Sequence, residues 1–175
     1  MDRRDNASSS APALGPDASF RRDVLRHEEA RGLYACFSCG ACTAGCPISE
    51  VFPEFSPRKL AKRVKLGLKR DVLEDPYIWR CTTCRGCEQH CPQNVRLYDI
   101  LNVLKNMAAE AGFAPPAWVE QTRWVMRTGL VYPRDAALAK KRRARSLPAL
   151  MSRGEQAERL IARTGADKIK AREEP

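Results

Sequence analysis

Cysteine recurs at positions 36, 39, 42 and 46 and again at 81, 84, 87 and 91, and proline follows each run as Pro47 and Pro92. These are all eight cysteines of the 175-residue chain. Thiolates at intervals of three, with a fourth beside proline, match bacterial-type cubane ligation, in which the fourth cysteine of each run serves the other cluster. The spacing therefore predicts two [4Fe–4S] clusters. One is held by Cys36, Cys39, Cys42 and Cys91, the other by Cys81, Cys84, Cys87 and Cys46. Such a crossover brings the clusters close together, which suits electron transfer between them. No nucleophile–base pair stands out, so no catalytic residue is predicted.

Other chemistries fit the pattern less well. Zinc takes four ligands, usually as two separated pairs, and a third cysteine three residues further on is surplus. A disulfide framework belongs to short secreted chains. A three-iron or otherwise modified cluster in one site stays compatible with the ligand count. Pro47 and Pro92 fix φ and turn the chain after the last ligand. Gly40, Gly45 and Gly86 stand where the backbone needs positive φ or must approach cluster sulfide closely. His27 and His90 are the only histidines; with eight cysteines for eight corners, His90 is expected at the surface or in a hydrogen bond. Arg80 and Arg85, beside the second run, are expected to raise the potential of its cluster.

The elements that must present these loops read as helices. Asp17 or Ser19 caps a helix through Phe20, Val24 and Leu25 to Arg31, with Gly32 as its stop. Ser56-Pro57 opens a second, whose apolar stripe is Leu60, Val64 and Leu68. Its outer faces carry seven cations, Arg58, Lys59, Lys62, Arg63, Lys65, Lys69 and Arg70, either a solvated face or one that steers an acidic electron partner. Asp75-Pro76 begins a short turn delivering the chain to Cys81. Asn94 is expected to cap a helix with Leu97, Ile100, Leu101, Leu104, Met107 and Ala108 inward, Asp99 and Glu110 on its surface, and Gly112 as its end. Residues 117–132, with Trp118, Trp124 and Tyr132, predict a further helix that packs on the cluster domain or docks a partner.

The predicted class is all-α: an α-helical ferredoxin-like domain with two cysteine-rich loops and helical or disordered extensions. Its expected divisions are a flexible tail over 1–18, the dicluster domain over 19–115, and a helical docking segment with a basic tail over 116–175. From Arg134 onward Lys and Arg outnumber Asp and Glu twelve to six, and much of this stretch is expected to be mobile or ordered only on a partner. With so short an apolar segment around the cysteines, the apoprotein is expected to fold poorly.

Formal net charge is +10, falling to about +6 once two clusters of about −2 each are counted. Lys140-Lys141-Arg142-Arg143-Ala144-Arg145 lacks interleaved aromatics, so anchoring to another protein of a complex is expected rather than nucleic-acid binding. No run is apolar enough to span a membrane. Arg21-Arg22 lacks the apolar stretch of an export signal, because His27-Glu28-Glu29 follows. Free thiols and clusters then predict the cytoplasm, with membrane contact only through partners.

Tyr34-Ala35-Cys36-Phe37-Ser38-Cys39-Gly40-Ala41-Cys42 and Arg80-Cys81-Thr82-Thr83-Cys84, the 34-residue helical separation of the runs, and the leucine-rich helix that follows resemble the C-type subunits of heterodisulfide reductase. The resemblance covers about residues 19–115. It implies a non-catalytic relay subunit of an oxidoreductase complex, passing electrons between a flavin- and iron–sulfur-containing subunit and a disulfide-reducing subunit with CCG motifs. It also implies the same eight cysteine ligands. Related helical modules serve succinate, glycolate and glycerol-3-phosphate dehydrogenases, which supply the alternative complex. CCG motifs are absent from this sequence, so the resemblance places the disulfide chemistry on another chain.

Overall fold

Asp17 opens the first helix by accepting from the backbone N–H groups of Ser19 and Phe20 at 2.8 and 3.2 Å. The computed structural model describes residues 15–132, 135–149 and 154–172, so the expected tail over 1–18 lies mostly outside the described residues. Helix α1 (Ala18–Arg26) buries Phe20, Val24 and Leu25. It stops at Arg26 rather than Arg31, because His27 is extended and the chain re-enters as a 3₁₀ helix over Glu28–Ala35. The tighter winding has a packing cause. Ala30 and Leu33, three apart, both reach the core, as a three-residue turn requires. Gly32 lies inside this segment and ends nothing.

The first cysteine run contains α2 (Ala41–Ala44) and leads into α3 (Pro47–Val51), a helix that begins at Pro47, where only a turn was predicted. Helix α4 (Pro57–Lys65) is capped by Ser56, whose hydroxyl accepts from Lys59 N–H at 3.3 Å. Leu60 and Val64 are buried as predicted, but Leu68 lies beyond the helix, at the cap of α5 (Lys69–Leu73). Gly67 causes the break. It is buried, at φ +73°, and a Cβ there would sit 2.4 Å from the Asp17 carbonyl oxygen. Asp17 N–H in turn donates to the Gly67 carbonyl at 2.8 Å, fastening the start of α1 to the end of α4.

Asp75 caps a 3₁₀ turn over Pro76–Arg80, which buries Ile78 and hands the chain to Cys81 as expected. The second run contains α6 (Gly86–Gln89). Helix α7 (Leu97–Glu110) follows, and Asn94 does not cap it: at φ +50° it belongs to the turn after Cys91. Leu97, Ile100, Leu101, Leu104 and Ala108 are buried as the period requires. Asp99, expected at the surface, is only 9% exposed, and Lys105 only 8%. Gly112 ends the segment at φ +85°.

The chain divides into two compact units, Met1–Lys105 and Asn106–Pro175. In the first, Phe20, Val24, Leu33, Val64, Val72, Ile78, Ile100 and Leu104 are the largest fully buried side chains. In the second, α8 (Pro116–Thr128) buries Val119 and ends at Gly129, φ +67°. The tail expected to be mobile contains two helices, α9 (Ala136–Ala144) and α10 (Gly154–Thr164), the latter packed along α8. Gly154 allows that approach, since a Cβ there would meet the Arg127 carbonyl oxygen at 2.3 Å. Lys141, Arg142 and Arg143 fall in the last turn of α9, where cations complement the helix dipole, and Arg142 donates to the Pro148 carbonyl at 2.8 Å. Among the described residues there is no strand, only an isolated bridge between Ala114 and Ala171. Nor is any described helix long and apolar enough to cross a membrane.

Candidate iron–sulfur centre

The two cysteine loops share one backbone design. Ser38 and Thr83, at equivalent places, have φ +61° and +60°; Gly40 and Arg85, two residues on, have φ +95° and +60°. A β-branched threonine in the left-handed region is a strained choice, held only where the surroundings over-determine it. Left-handed residues at such turns group successive backbone N–H groups into a concavity that suits an anion. Sequence spacing flagged Gly40 but missed Ser38, Thr83 and Arg85. Aligning the two runs on their cysteines, which sets Arg85 opposite Gly40, carries that signal.

The remaining loop glycines matter for close approach. A Cβ on Gly45 would meet the His90 ring at 2.3 Å, and one on Gly86 would reach the Gly45 carbonyl oxygen and Cys84 Sγ at 3.5 and 3.7 Å. His90 thus covers Gly45 from the opposite loop. Helices α2 and α6, one from each run, pack against each other.

Hydrogen bonds tie the first loop to α4. Thr43, next to Cys42, accepts from Arg58 N–H at 2.9 Å and lies 3.2 Å from the Ser56 hydroxyl. Lys65 Nζ donates to the Cys36 carbonyl at 2.7 Å. The second loop is tied to α7: Arg85 donates to Asp99 at 3.0 Å, Arg96 lies 2.5 Å from the other oxygen, and Glu88 is 3.6 Å from Arg85. Arg85 also stacks 4.7 Å over the Tyr98 ring, and Arg80 4.5 Å over Phe52. The cationic patch is thereby partly structural, with Arg63 bonded to Asp75 at 2.8 Å and Arg70 to Glu74 at 2.8 Å.

All eight thiols are free. Burial pushes the Cys42 thiol up, a hydrogen bond with Thr43 opposes this, and the nearby sulfurs of Cys36, Cys39 and Cys91 add to the rise. Cys87 is pushed up to about 12 by burial first, then by Cys81, Glu88, Cys42 and Cys46. In each case the fourth cysteine of one run acts on the third of the other. Cys46, Cys81, Cys84 and Cys87 line one cavity, closed by apolar Ile48, Phe55, Leu60, Leu97 and Leu101. Val95 N–H donates to Cys91 Sγ at 3.2 Å. Cys39 and Cys84 are exposed, while the other six cysteines are half-buried. Among the described residues, no three His, Cys, Asp or Glu side chains converge tightly enough for a single ion. A cubane asks for a wider set, because its iron corners are spread several Å apart, and thiolates facing each other across an apolar cavity fit it.

The 4Fe-4S dicluster domain family matches residues 32–95, which contain all eight cysteines. Over a longer stretch the chain is 33% identical to the C-type subunit of the H(2):CoB-CoM heterodisulfide,ferredoxin reductase of Methanothermobacter thermautotrophicus, covering 78% of this chain and 77% of that protein. This chain belongs to the family of heterodisulfide reductase C-type subunits. The second iron-sulfur C-type subunit of the CoB–CoM heterodisulfide reductase of Methanocaldococcus jannaschii is 36% identical to it, over 72% of this chain and 67% of its own length. The C-type subunit of the ferredoxin:CoB-CoM heterodisulfide reductase of Methanosarcina acetivorans is 43% identical over 54% of this chain and 38% of its own length. Like the family, this C-type iron–sulfur protein carries a 4Fe-4S dicluster domain and transfers electrons through it. Its cofactors are those the cysteine spacing predicted, and its helical fold is the one predicted from the caps and apolar stripes between the runs.

Proposed function

We propose that this chain is the relay subunit of a heterodisulfide reductase-like complex, passing single electrons between a flavin- and iron–sulfur-containing subunit and a CCG-motif subunit that reduces a disulfide. Cys36, Cys39, Cys42 and Cys91 hold one cluster; Cys81, Cys84, Cys87 and Cys46 hold the other. Bound clusters supply one-electron storage at two neighbouring points. The protein's own residues hold those points at fixed spacing, half-bury six of the eight cysteines, and leave Cys39 and Cys84 exposed, one in each loop. The observation that supports the reading best is that Cys46, from the first run, lines one cavity with Cys81, Cys84 and Cys87 of the second. Exposure of Cys39 in one loop and Cys84 in the other supports one contact point for each partner.

Tyr34 and Phe37, flanking Cys36, are 74% and 60% exposed, whereas the second loop presents Thr82, Thr83 and Arg85. Two such different faces suit two different partners. Cys46→Ala tests the ligand sets. EPR of the reduced, anaerobically prepared variant is expected to lose or alter the signal that Cys84→Ser also alters, leaving the other intact. A change confined to the signal marked by Cys39→Ser overturns the assignment. Anaerobic co-expression with the two proposed partner subunits tests the relay itself. Electrons from the flavin subunit should bleach the clusters, and disulfide reduction should require all three chains; reduction that proceeds equally without this chain overturns the relay.

A further inference from the structure

Leu97, Leu101 and Lys105 are spaced four apart on α7 and share one helical face. Leu97 and Leu101 line the cavity that contains Cys46, Cys81, Cys84 and Cys87. Lys105 continues that stripe by one turn and is only 8% exposed. Lysine is among the side chains least often buried, so an ammonium group there needs an anionic environment. We propose that Lys105 sets the reduction potential of the cluster held by Cys46, Cys81, Cys84 and Cys87, raising it and making that cluster the electron sink of the pair. This inference rests on the ligand sets proposed above.

The electrostatics follow from position. Burial pushes the Lys105 ammonium down from the usual lysine range, and the Cys81 sulfur opposes that fall. One-electron reduction adds negative charge to the cluster and its thiolates. A cation in a poorly solvated setting stabilises that added charge more than water-screened cations do. Other cations near the loops are differently placed. Arg85 is half-exposed and faces the carboxylates of Asp99 and Glu88, so its charge is largely balanced. Lys65 is committed to the Cys36 carbonyl on the side of the first run. Lys105, buried one turn beyond Leu101 on the stripe that lines the second run's cavity, biases that cluster more than the other.

EPR-monitored redox titration of the anaerobic holoprotein tests this, with the signals assigned through Cys39→Ser and Cys84→Ser. Lys105→Met keeps the length of the side chain and removes its charge; the Cys84-marked signal should become about tenfold harder to reduce, ~59 mV for one electron. Lys105→Arg should keep most of the potential, and the Cys39-marked signal should move much less in both variants. If Lys105→Met loads iron poorly, neutral Lys105→Gln takes its place with the same expectation. An unmoved midpoint overturns the inference, as does an equal shift of both signals or a loss in Lys105→Arg as large as in Lys105→Met. Failure of the ligand sets shows differently: Cys46→Ala and Cys84→Ser would then mark different signals. That result overturns both readings, whereas a common signal with an unmoved midpoint overturns this one alone.

Discussion

Asp99 accepts from Arg85 at 3.0 Å and lies 2.5 Å from Arg96, so two guanidinium groups share one nearly buried carboxylate. Arg85 adjoins Cys84, and Asp99 thus sets how much positive charge stands at that edge of the second loop. Asp99→Asn removes the balancing charge and should raise the potential of the Cys84-marked cluster, the opposite sign to Lys105→Met, as read by the same titration. Stability should fall by roughly 1.5–3 kcal/mol, the range for hydrogen bonds to charged groups. The low end is expected, because both guanidinium groups are more than half exposed and screened by solvent. Urea unfolding of the holoprotein measures it. Cysteine spacing made the ligand residues legible in the sequence, since geometry at a cubane leaves few ways to arrange four thiols. Asp99 and Lys105 were not legible. Helical period assigns charged residues to water, whereas in the fold Arg85 and Arg96 pair with Asp99, and Lys105 falls on the same face as the buried Leu97 and Leu101.

Three joints hold the helices that present the loops: the Asp17–Gly67 backbone bond, the Ser56–Thr43 hydroxyl pair and the Lys65–Cys36 bond. The first is the most constrained. Alanine at position 67 would carry a Cβ at φ +73° into the Asp17 carbonyl, 2.4 Å away. Left-handed backbone costs a non-glycine residue about 1–2 kcal/mol and overpacking typically 1–3, so Gly67→Ala should destabilise the protein by roughly 2–5 kcal/mol. A lower urea midpoint with unchanged EPR signals is the expected outcome; an unchanged midpoint would show the joint to be dispensable. Helix starts at Asp17, Ser56 and Asp75 were readable because a capping side chain acts within three residues of itself. The ends were harder. The stop at Arg26 depends on Ala30 and Leu33 finding a core three residues apart, and the stop before Gly67 depends on a stretch of chain fifty residues earlier.

At the scale of the molecule, the loops and the core are stabilised by different means. No residue of 36–46 or 81–92 is buried, whereas the large fully buried side chains come from α1, α4, α5, α7 and the two 3₁₀ segments around them. Those apolar groups contribute roughly 1.5–3 kcal/mol each when fully buried, independent of iron. The loops have no such support. They hold strained left-handed residues and half-buried thiols, and thiolate–iron bonds are what offsets that cost. The apoprotein should therefore lose structure unevenly rather than unfold throughout, a narrower outcome than the short apolar segment alone implies. After anaerobic removal of iron with a chelator, amide hydrogens of 36–46 and 81–91 should exchange as in a mobile chain. Those of α4 and the first turns of α7 should stay protected by at least about tenfold, equivalent to 1.4 kcal/mol of residual stability. Hydrogen exchange followed by mass spectrometry reads both regions in one sample. Uniform loss of protection across the first unit would mean that the clusters support the apolar core as well as the loops. Unchanged exchange in the loops would mean that iron is not what holds them.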